Sequence, residues 1–345
     1  MSLQSEIHEQ PQRLAYLLSS QRNTVEEITR RIKKQNVSFA FLAARGTSDN
    51  AGRYANYLWG ASNRLPVALA TPSLFTIYQK PPKLDNALVI GISQSGQSPD
   101  IVSVVEEGRR QNCLTLAITN DADSPLARAA DFTLDIQAGP EVAVAATKTY
   151  TAELLSIAML SAALSQNEDS WRSLVKVPGW IEQALLHDNA IAQMTQRFRY
   201  MQRCVVLGRG YNYATVFEWA LKLKELTYVE AEPYSSADFQ HGPIAMIDSG
   251  FPIMAVAPRG LVLDSLMDLF KILRKELLAE LVMISNDAGA LDLAQSPISI
   301  PAEIPEWLTP LVSIVPAQLF AYHLTVVKGL DTEKPRSIRK VTETR

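Results

Sequence analysis

One loop stands out because its hydroxyl side chains could bind a phosphate group. In the segment ALVIGISQSGQSPD (87–100), an apolar run predicts a buried strand, and Ser93-Gln94-Ser95-Gly96-Gln97-Ser98 follows it. Pro99 predicts the start of a helix, with Ser98 as its N-cap. Such a strand–loop–helix unit directs backbone N–H groups and a helix N-terminus at one point, which is how proteins bind small anions.

The same loop argues against a nucleoside triphosphate. Residues 91–98 have the outline of a P-loop, but Gln97 stands where the phosphate-binding lysine would be. A sugar monophosphate does not need that lysine, so the loop predicts a phosphosugar ligand. Neither a metal nor another cofactor is expected, because the sequence has no His/Cys/Asp cluster with ligand spacing and no G-x-G-x-x-G motif.

Length, charge and apolar segments exclude several classes of protein. The chain has 345 residues, enough for two domains, and its net charge of −3 argues against nucleic acid as a partner. The polar start MSLQSEIHEQ is unlike a signal peptide, and the apolar segment 151–164 is interrupted by Glu153 and too short to span a membrane comfortably. With Cys113 and Cys204 read as buried free thiols, we expect a cytoplasmic protein without a membrane partner.

The two halves of the chain repeat each other at an offset near 164 residues. The segments in the first half are 41–46, 87–92 and 114–121, and their counterparts are 205–210, 252–256 and 280–287. Each half alternates strands with helices, which predicts α/β architecture with parallel sheets. We expect two tandem three-layer αβα domains with flavodoxin-like sheets. The predicted divisions are a helical segment 1–35, a first domain 36–165, a helical linker 166–200, a second domain 201–330 and a tail 331–345.

The repeat is chemically asymmetric. Where the first half has Ser93-Gln94-Ser95, the second half has Ala257-Pro258-Arg259, so the phosphate loop occurs once. The second half instead carries Lys222, Glu225 and the loop at His241. This asymmetry predicts that one half binds the substrate and the other acts on it.

Ordered motifs along nearly the whole chain resemble the sugar isomerase (SIS) domain family. They are most similar to the double-SIS isomerase portion of glutamine–fructose-6-phosphate aminotransferases and to stand-alone glucosamine-6-phosphate deaminases. The motifs are RGTSDNAG (45–52), ISQSGQSPD (92–100), VAVAATKTYT (142–151), ALKLKEL (220–226), EAEPYSSADFQHGPIAMID (230–248), PAQLFAYH (316–323) and KGLDTEKPRSIRKVT (328–342). The aminotransferases begin with a glutaminase domain whose first residue is a cysteine. Here the sequence starts Met1-Ser2 and has no cysteine before Cys113, so we do not expect it to produce ammonia from glutamine.

The resemblance implies which residues contact the substrate. Those implied for the phosphate are Gly46, Thr47, Ser48, Ser93, Gln94, Ser95 and Ser98. Val144 and Thr147 are implied for the sugar, although Ala146 stands where the aminotransferases often have a serine. The alternative for the loop serines, taken without the resemblance, is that they cap helices.

The resemblance also implies the catalytic residues. Glu225 moves a proton between C1 and C2 of the open-chain sugar, and His241 opens and closes the ring. Lys340 forms a Schiff base with the keto sugar, while Lys222 contacts the substrate or orients Glu225. In the family the histidine loop comes from the neighbouring subunit, which implies a homodimer with a shared site. Spacing alone would instead suggest a solvated Glu218–Lys222 pair on a helix surface and a solvated lysine in the tail.

The predicted function is conversion of glucosamine 6-phosphate into fructose 6-phosphate and ammonia. Ammonia-dependent amination of fructose 6-phosphate and removal of an amine from a fructosamine 6-phosphate use the same residues and stay open as alternatives. A different class, a non-catalytic phosphosugar sensor, would have no need of Glu225, His241 and Lys340 together.

Overall fold

The computed structural model describes residues 2–340. Its strands are β1 (Phe39–Ala43), β2 (Val67–Leu69), β3 (Ala87–Ile92), β4 (Leu114–Thr119), β5 (Phe132–Asp135), β6 (Arg203–Gly208), β7 (Glu230–Ser235), β8 (Pro252–Val256), β9 (Glu280–Ser285) and β10 (Ser296–Ser299). Its α-helices are α1 (Leu3–His8), α2 (Gln10–Ser20), α3 (Arg22–Lys34), α4 (Gly46–Asn63), α5 (Ser73–Thr76), α6 (Pro99–Arg110), α7 (Pro125–Ala129), α8 (Lys148–Ser165), α9 (Glu168–Leu174), α10 (Val177–Leu185), α11 (Asp188–Thr195), α12 (Tyr213–Thr227), α13 (Ser236–Gln240), α14 (Leu263–Lys275), α15 (Ala288–Leu293) and α16 (Thr309–Val327).

The strands form two parallel sheets with the same topology. The first sheet has the order β2-β1-β3-β4-β5 and the second the order β10-β9-β8-β6-β7. Numbered within its own half, each sheet therefore reads 2-1-3-4-5, the flavodoxin-like order. Every residue of β3 and β4 is buried, as expected for central strands covered on both faces by helices. The predicted fold class of two tandem αβα domains is confirmed.

By their contacts, the described residues divide into two compact units. The first unit contains residues 12–141, 148–176 and 339–340, and includes the first sheet. The second unit contains residues 2–11, 142–147 and 177–338, and includes the second sheet. Helix α1 and the loop 142–147 therefore belong to the second unit, although both precede its sheet in the sequence.

The N-terminal region contains more helices than predicted. We expected one or two helices over residues 6–34, and the structure has α1, α2 and α3. The first break follows His8, and Glu9 lies between the first two helices. The second break is at Gln21, which provides no side-chain cap for α3. Each break is only one residue long, so the spacing of the apolar residues gives little indication of where one helix ends and the next begins.

Helix α16 is the core helix of the second unit. The most apolar 18-residue window of the segment Glu306–Val327 has a mean hydropathy of 1.5, and within the described residues this segment alone is long and apolar enough to cross a membrane. However, 78% of its most apolar window is buried inside the protein, against helices such as α11 and α12. From the sequence we expect the longest apolar helix at 151–164, and this expectation is wrong, because α16 is the longer apolar helix. Because α16 is packed on several sides, it lacks an amphipathic pattern.

Two side chains of α1 and one of α16 contact Asp188, and these contacts anchor α1 within the second unit. The His8 Nε2 atom lies 2.8 Å from Asp188 Oδ2, Gln4 Nε2 donates to the same oxygen at 3.3 Å, and His323 Nε2 contacts Asp188 Oδ1. Burial opposes ionisation of Asp188, but the hydrogen bonds from His323 and His8 outweigh it and lower the pKa of this carboxyl group. We call these four residues the Asp188 cluster.

The lowered pKa predicts a stability loss in acid. A carboxyl group with a depressed pKa stabilises the folded state above its unfolded value of 3.8, and this contribution disappears as the pH falls through the folded value. We expect Asp188→Asn to reduce the free energy of unfolding at pH 7 by about 1.5–3 kcal/mol, the contribution of a hydrogen bond to a charged group. Urea denaturation at several pH values should show that the difference in unfolding free energy between wild type and Asp188→Asn becomes smaller below pH ~4. A difference that stays constant with pH would contradict this account.

Candidate functional site

In the first unit, the polar loops emerge at one edge of the sheet. Ala43, the last residue of β1, pairs with Gly91 near the end of β3, so the chain that follows each strand leaves at the same carboxyl edge. Arg45 Nε donates to Asp100 Oδ2 at 2.8 Å, which joins the start of α4 to the first turn of α6. Open parallel sheets bind their ligands at this edge.

The loop 93–98 has a defined backbone conformation. The Ser93 N–H donates to the carbonyl of Ile118 at 3.1 Å, and the Gly96 N–H donates to the Ser93 carbonyl at 3.1 Å. Gly96 has φ of +61°, and a Cβ atom there would lie 2.1 Å from Ser124 Oγ. A side chain at this position would therefore be blocked, and the glycine keeps the loop close to the neighbouring turn.

Ser98 is not an ordinary capping residue. It occupies the N-cap of α6, as predicted, yet its hydroxyl makes no capping hydrogen bond in the part of the chain that the structure describes. By contrast, Ser124 at the N-cap of α7 accepts the N–H of Ala127. The capping alternative is therefore wrong for the Ser98 side chain, whose half-buried hydroxyl is available for another partner.

The hydroxyl group of Ser48 is bound to a carboxylate. Its hydroxyl donates to Glu153 Oε1 on α8 at 2.8 Å, and both side chains are buried. Gly46 and Thr47 form the first turn of α4, where Gly46 has φ of +53°. The roles of these three residues in phosphate binding stay predictions. Glu153 was not among the predicted site residues, because it lies 105 residues from Ser48 in the sequence.

In the second unit, α12 carries three charged residues in contact. Lys222 Nζ lies 2.6 Å from Glu225 Oε2 and 3.3 Å from Glu218 Oε1. The side chains of Lys222 and Glu218 are buried, with 1% and 0% exposed, whereas Glu225 is 23% exposed. The alternative of a solvated ion pair on a helix surface is therefore wrong. We call these residues the α12 triad.

The electrostatics of the triad favour a charged lysine. Burial opposes the charge of Lys222, but Glu218 and Glu225 outweigh it and raise the pKa of the ammonium group. Lys222 thus stays a cation and holds one oxygen of Glu225 in place. Glu225 keeps a partly exposed carboxylate that can reach a ligand, an arrangement suited to proton transfer.

His241 lies at the end of α13 with an exposed side chain. Its backbone N–H donates to the carbonyl of Asp238 at 3.0 Å, and the next residue, Gly242, has φ of +136°. Among residues 2–340, the imidazole makes neither a hydrogen bond nor an ion pair, so the structure does not join it to Glu225. The glycine allows a backbone turn here that other residues rarely adopt.

Lys340, in the first unit, is bound rather than solvated. Its Nζ donates to Glu141 Oε2 at 2.6 Å, and Glu141 also accepts the N–H of Thr149 at 3.2 Å and its hydroxyl at 2.8 Å. The Glu141 side chain is 0% exposed. The solvated alternative for this lysine is therefore wrong. Residues 341–345 of the predicted tail lie outside the described residues.

The predicted sugar contacts, Val144 and Thr147, lie in the loop 142–147 of the second unit. Thr147 is buried, and its carbonyl accepts a hydrogen bond from Gln318 Nε2 at 3.3 Å. Val144 and Ala146 are half-buried.

The predicted site residues divide between the two units. The phosphate-loop residues and Lys340 belong to the first unit, and the α12 triad, His241 and the loop 142–147 belong to the second. Within the described part of the chain, there is no group of three or more His, Cys, Asp or Glu residues placed to hold a metal ion.

Comparisons with known proteins agree on one family. The SIS domain matches residues 35–163 and 198–328. Glutamine–fructose-6-phosphate aminotransferase (isomerizing) of Thermococcus kodakarensis is 32% identical over 97% of this chain but only 56% of its own length. The counterpart from Aquifex aeolicus is 33% identical, with the same coverage of 97% and 56%. This chain therefore spans about half the length of the curated relatives it matches.

Solved structures extend the similarity to the fold. The C-terminal domain of glucosamine-fructose-6-phosphate aminotransferase from Francisella tularensis superposes with a TM-score of 0.87 at 27% identity, covering 96% of this chain and 98% of that one. Glucosamine-6-phosphate deaminase from Thermotoga maritima gives 0.72 at 20% identity, covering 96% of this chain and 100% of that one. The second likeness concerns the fold alone.

Proposed function

Since the chain belongs to the SIS-domain family, we propose that it is a phosphosugar isomerase that converts glucosamine 6-phosphate into fructose 6-phosphate and ammonia. The observation that carries this proposal is the α12 triad, in which the buried Lys222 holds the partly exposed Glu225 at 2.6 Å. A carboxylate that is bound to a buried cation and partly exposed is suited to act as the base that moves a proton between two neighbouring carbon atoms. A sensor that only binds the sugar has no use for such a base.

The proposed reaction has three steps. His241 transfers a proton from the anomeric hydroxyl to the ring oxygen, which opens the ring. Glu225 then removes the proton from C2 and returns it to C1, while one proton passes from the amino nitrogen to the C1 oxygen, which turns the amino aldose into a ketose imine. Water adds to the imine carbon, and the amine leaves as ammonia with a proton. Atoms balance as glucosamine 6-phosphate plus water giving fructose 6-phosphate plus ammonia.

The loop 93–98 binds the phosphate group in this proposal. Its support is the hydroxyl of Ser98, which does not cap its own helix, next to the N-terminus of α6. Lys340 can form a Schiff base only after it leaves Glu141, because its nitrogen is in an ion pair in this structure. We also propose a homodimer in which a second copy of the chain supplies the histidine, since the His241 side chain is exposed.

Free ammonia, rather than glutamine, is the nitrogen species in this proposal. Glutamine hydrolysis by a thiol needs a reactive thiolate. Cys113 and Cys204 are both buried free thiols, and burial raises the pKa of both, to about 12 for Cys204. Neither suits that chemistry. Free thiols also support a cytoplasmic location for the reaction.

Release of ammonia and fructose 6-phosphate from glucosamine 6-phosphate tests the proposal. We expect equal amounts of the two products from the full chain, and no turnover of unphosphorylated glucosamine, which lacks the group that the loop 93–98 binds. Parallel assays with fructose 6-phosphate plus ammonia, and with a fructosamine 6-phosphate, compare the other two reactions. Tight binding of glucosamine 6-phosphate in calorimetry without turnover of any of these compounds would overturn the proposal in favour of a sensor.

A further inference from the structure

A buried carboxylate on α1 is directed at the backbone of a distant loop. Glu6 Oε1 accepts the N–H of Val142 at 2.5 Å and that of Ala143 at 3.3 Å, and Glu6 Oε2 also accepts the Ala143 N–H at 3.3 Å. Glu6 is 0% exposed. These contacts lie within the second unit and connect residues that are more than 130 positions apart in the sequence.

The other end of the same loop is also held by a side chain of the second unit. Gln318 on α16, which is buried, donates to the carbonyl of Thr147 at 3.3 Å. Its own side-chain oxygen accepts a hydrogen bond from Gln10 Nε2 at 3.0 Å, and Gln10 is also buried. Residues 6–10 therefore hold the loop 142–147 at its beginning directly and at its end through Gln318.

Glu6 is the stronger of these two anchors. A buried carboxylate is costly unless hydrogen bonds compensate its charge, and hydrogen bonds from N–H groups to a carboxylate are about twice as strong as neutral ones. Moving the loop would break these bonds and leave Glu6 buried without their compensation. The position of Val142 and Ala143 is thus tied to the position of α1.

Helix α1 is itself held at both ends. At its start, the Leu3 N–H donates to Glu333 Oε1 at 3.0 Å, and at its end His8 belongs to the Asp188 cluster. Both contacts also lie within the second unit. The helix therefore offers a fixed support from which Glu6 reaches the loop.

We propose that Glu6 is a positioning residue for sugar binding. By fixing the start of the loop 142–147, it places Val144 and Thr147 where they contact the sugar. The inference rests on the proposed function, because the sugar is the ligand that this loop would contact. Phosphate binding by the loop 93–98 does not depend on Glu6.

The experiment compares Glu6→Gln with wild type in the full chain. The amide keeps the shape of the side chain but removes its charge, and it can accept fewer hydrogen bonds. We expect the KM for glucosamine 6-phosphate to rise about tenfold, the equivalent of one lost hydrogen bond, with kcat changed less than about threefold. The Kd for inorganic phosphate should stay unchanged. Glu27→Gln, the same change on an exposed carboxylate of α3, is the matched control.

A second variant keeps the test informative if Glu6→Gln does not fold. Glu6→Asp retains the charge but shortens the side chain by one methylene group, and we expect a KM between those of wild type and Glu6→Gln. Melting temperatures of all variants separate stability from binding. A lower melting temperature with an unchanged KM would assign Glu6 a purely structural role and overturn the inference.

Two further outcomes distinguish this inference from the proposed function. If wild type binds glucosamine 6-phosphate in calorimetry and the folded Glu6 variants bind it equally well, only the inference on Glu6 fails. If wild type binds no phosphosugar, the proposed function fails, and the inference fails with it. Equal weakening of inorganic phosphate and phosphosugar binding would show a general loss of structure and would also overturn the inference.

Discussion

Glu225→Gln should lower the kcat for glucosamine 6-phosphate by about 10³-fold, within the range typical of a lost general base. The amide has nearly the same shape but cannot accept a proton from C2, so no other residue of the α12 triad replaces it. Glu218 is 0% exposed and already contacts Lys222 at 3.3 Å. Ammonia release in a coupled assay measures the effect.

The control for this variant is Glu276→Gln, the same change on an exposed carboxylate that follows α14. It should keep the wild-type rate. Calorimetry should show that Glu225→Gln still binds glucosamine 6-phosphate with a Kd within about threefold of wild type, because the phosphate contacts remain. Retention of more than a tenth of the wild-type kcat would remove Glu225 from the role of base.

Lys222→Met should destabilise the folded state by about 3–5 kcal/mol, the typical cost of removing one partner of a buried ion pair. Methionine fills a similar volume, so the loss comes from removing the ammonium group that Glu218 and Glu225 contact. Urea denaturation at pH 7 measures the difference. Lys224→Met, on the same helix but exposed, should change stability by less than about 0.5 kcal/mol.

The pH dependence of this difference has a definite sign. Because the triad raises the pKa of Lys222, its stabilising contribution is complete below the unfolded value of 10.5 and is lost only as the pH rises through the folded value. The contribution of Lys222 to wild-type stability should therefore be constant from pH 6 to pH 9, and a change in the stability difference over this range would come from the carboxylates left in Lys222→Met. Adding Glu218→Gln to Lys222→Met should restore part of the stability, since it also removes the buried carboxylate that Lys222 contacts in wild type. A double variant less stable than Lys222→Met would contradict this explanation.

The central strands could be predicted from the sequence almost to the residue. Strands β3 and β8 have the bounds expected from the internal repeat, because strands buried on both faces appear as continuous apolar runs. Three of the four edge strands, β2, β5 and β10, have only three or four residues and mixed burial. They were not predicted, since pairing with a neighbour, rather than an apolar pattern, makes them strands.

The order of the residues already shows which polar side chains follow which strands, and it contains the repeat that yields two sheets of the same topology. The environment of those side chains could not be predicted in this way, because it depends on the folded chain. Folding buried Lys222 between two carboxylates, directed the Ser48 proton to Glu153 and brought Lys340 to Glu141. The loop 142–147 likewise obtained its anchor from Glu6. Apart from the triad, these partners are more than 100 residues apart, and burial and electrostatics at such separations arise only when the chain has folded.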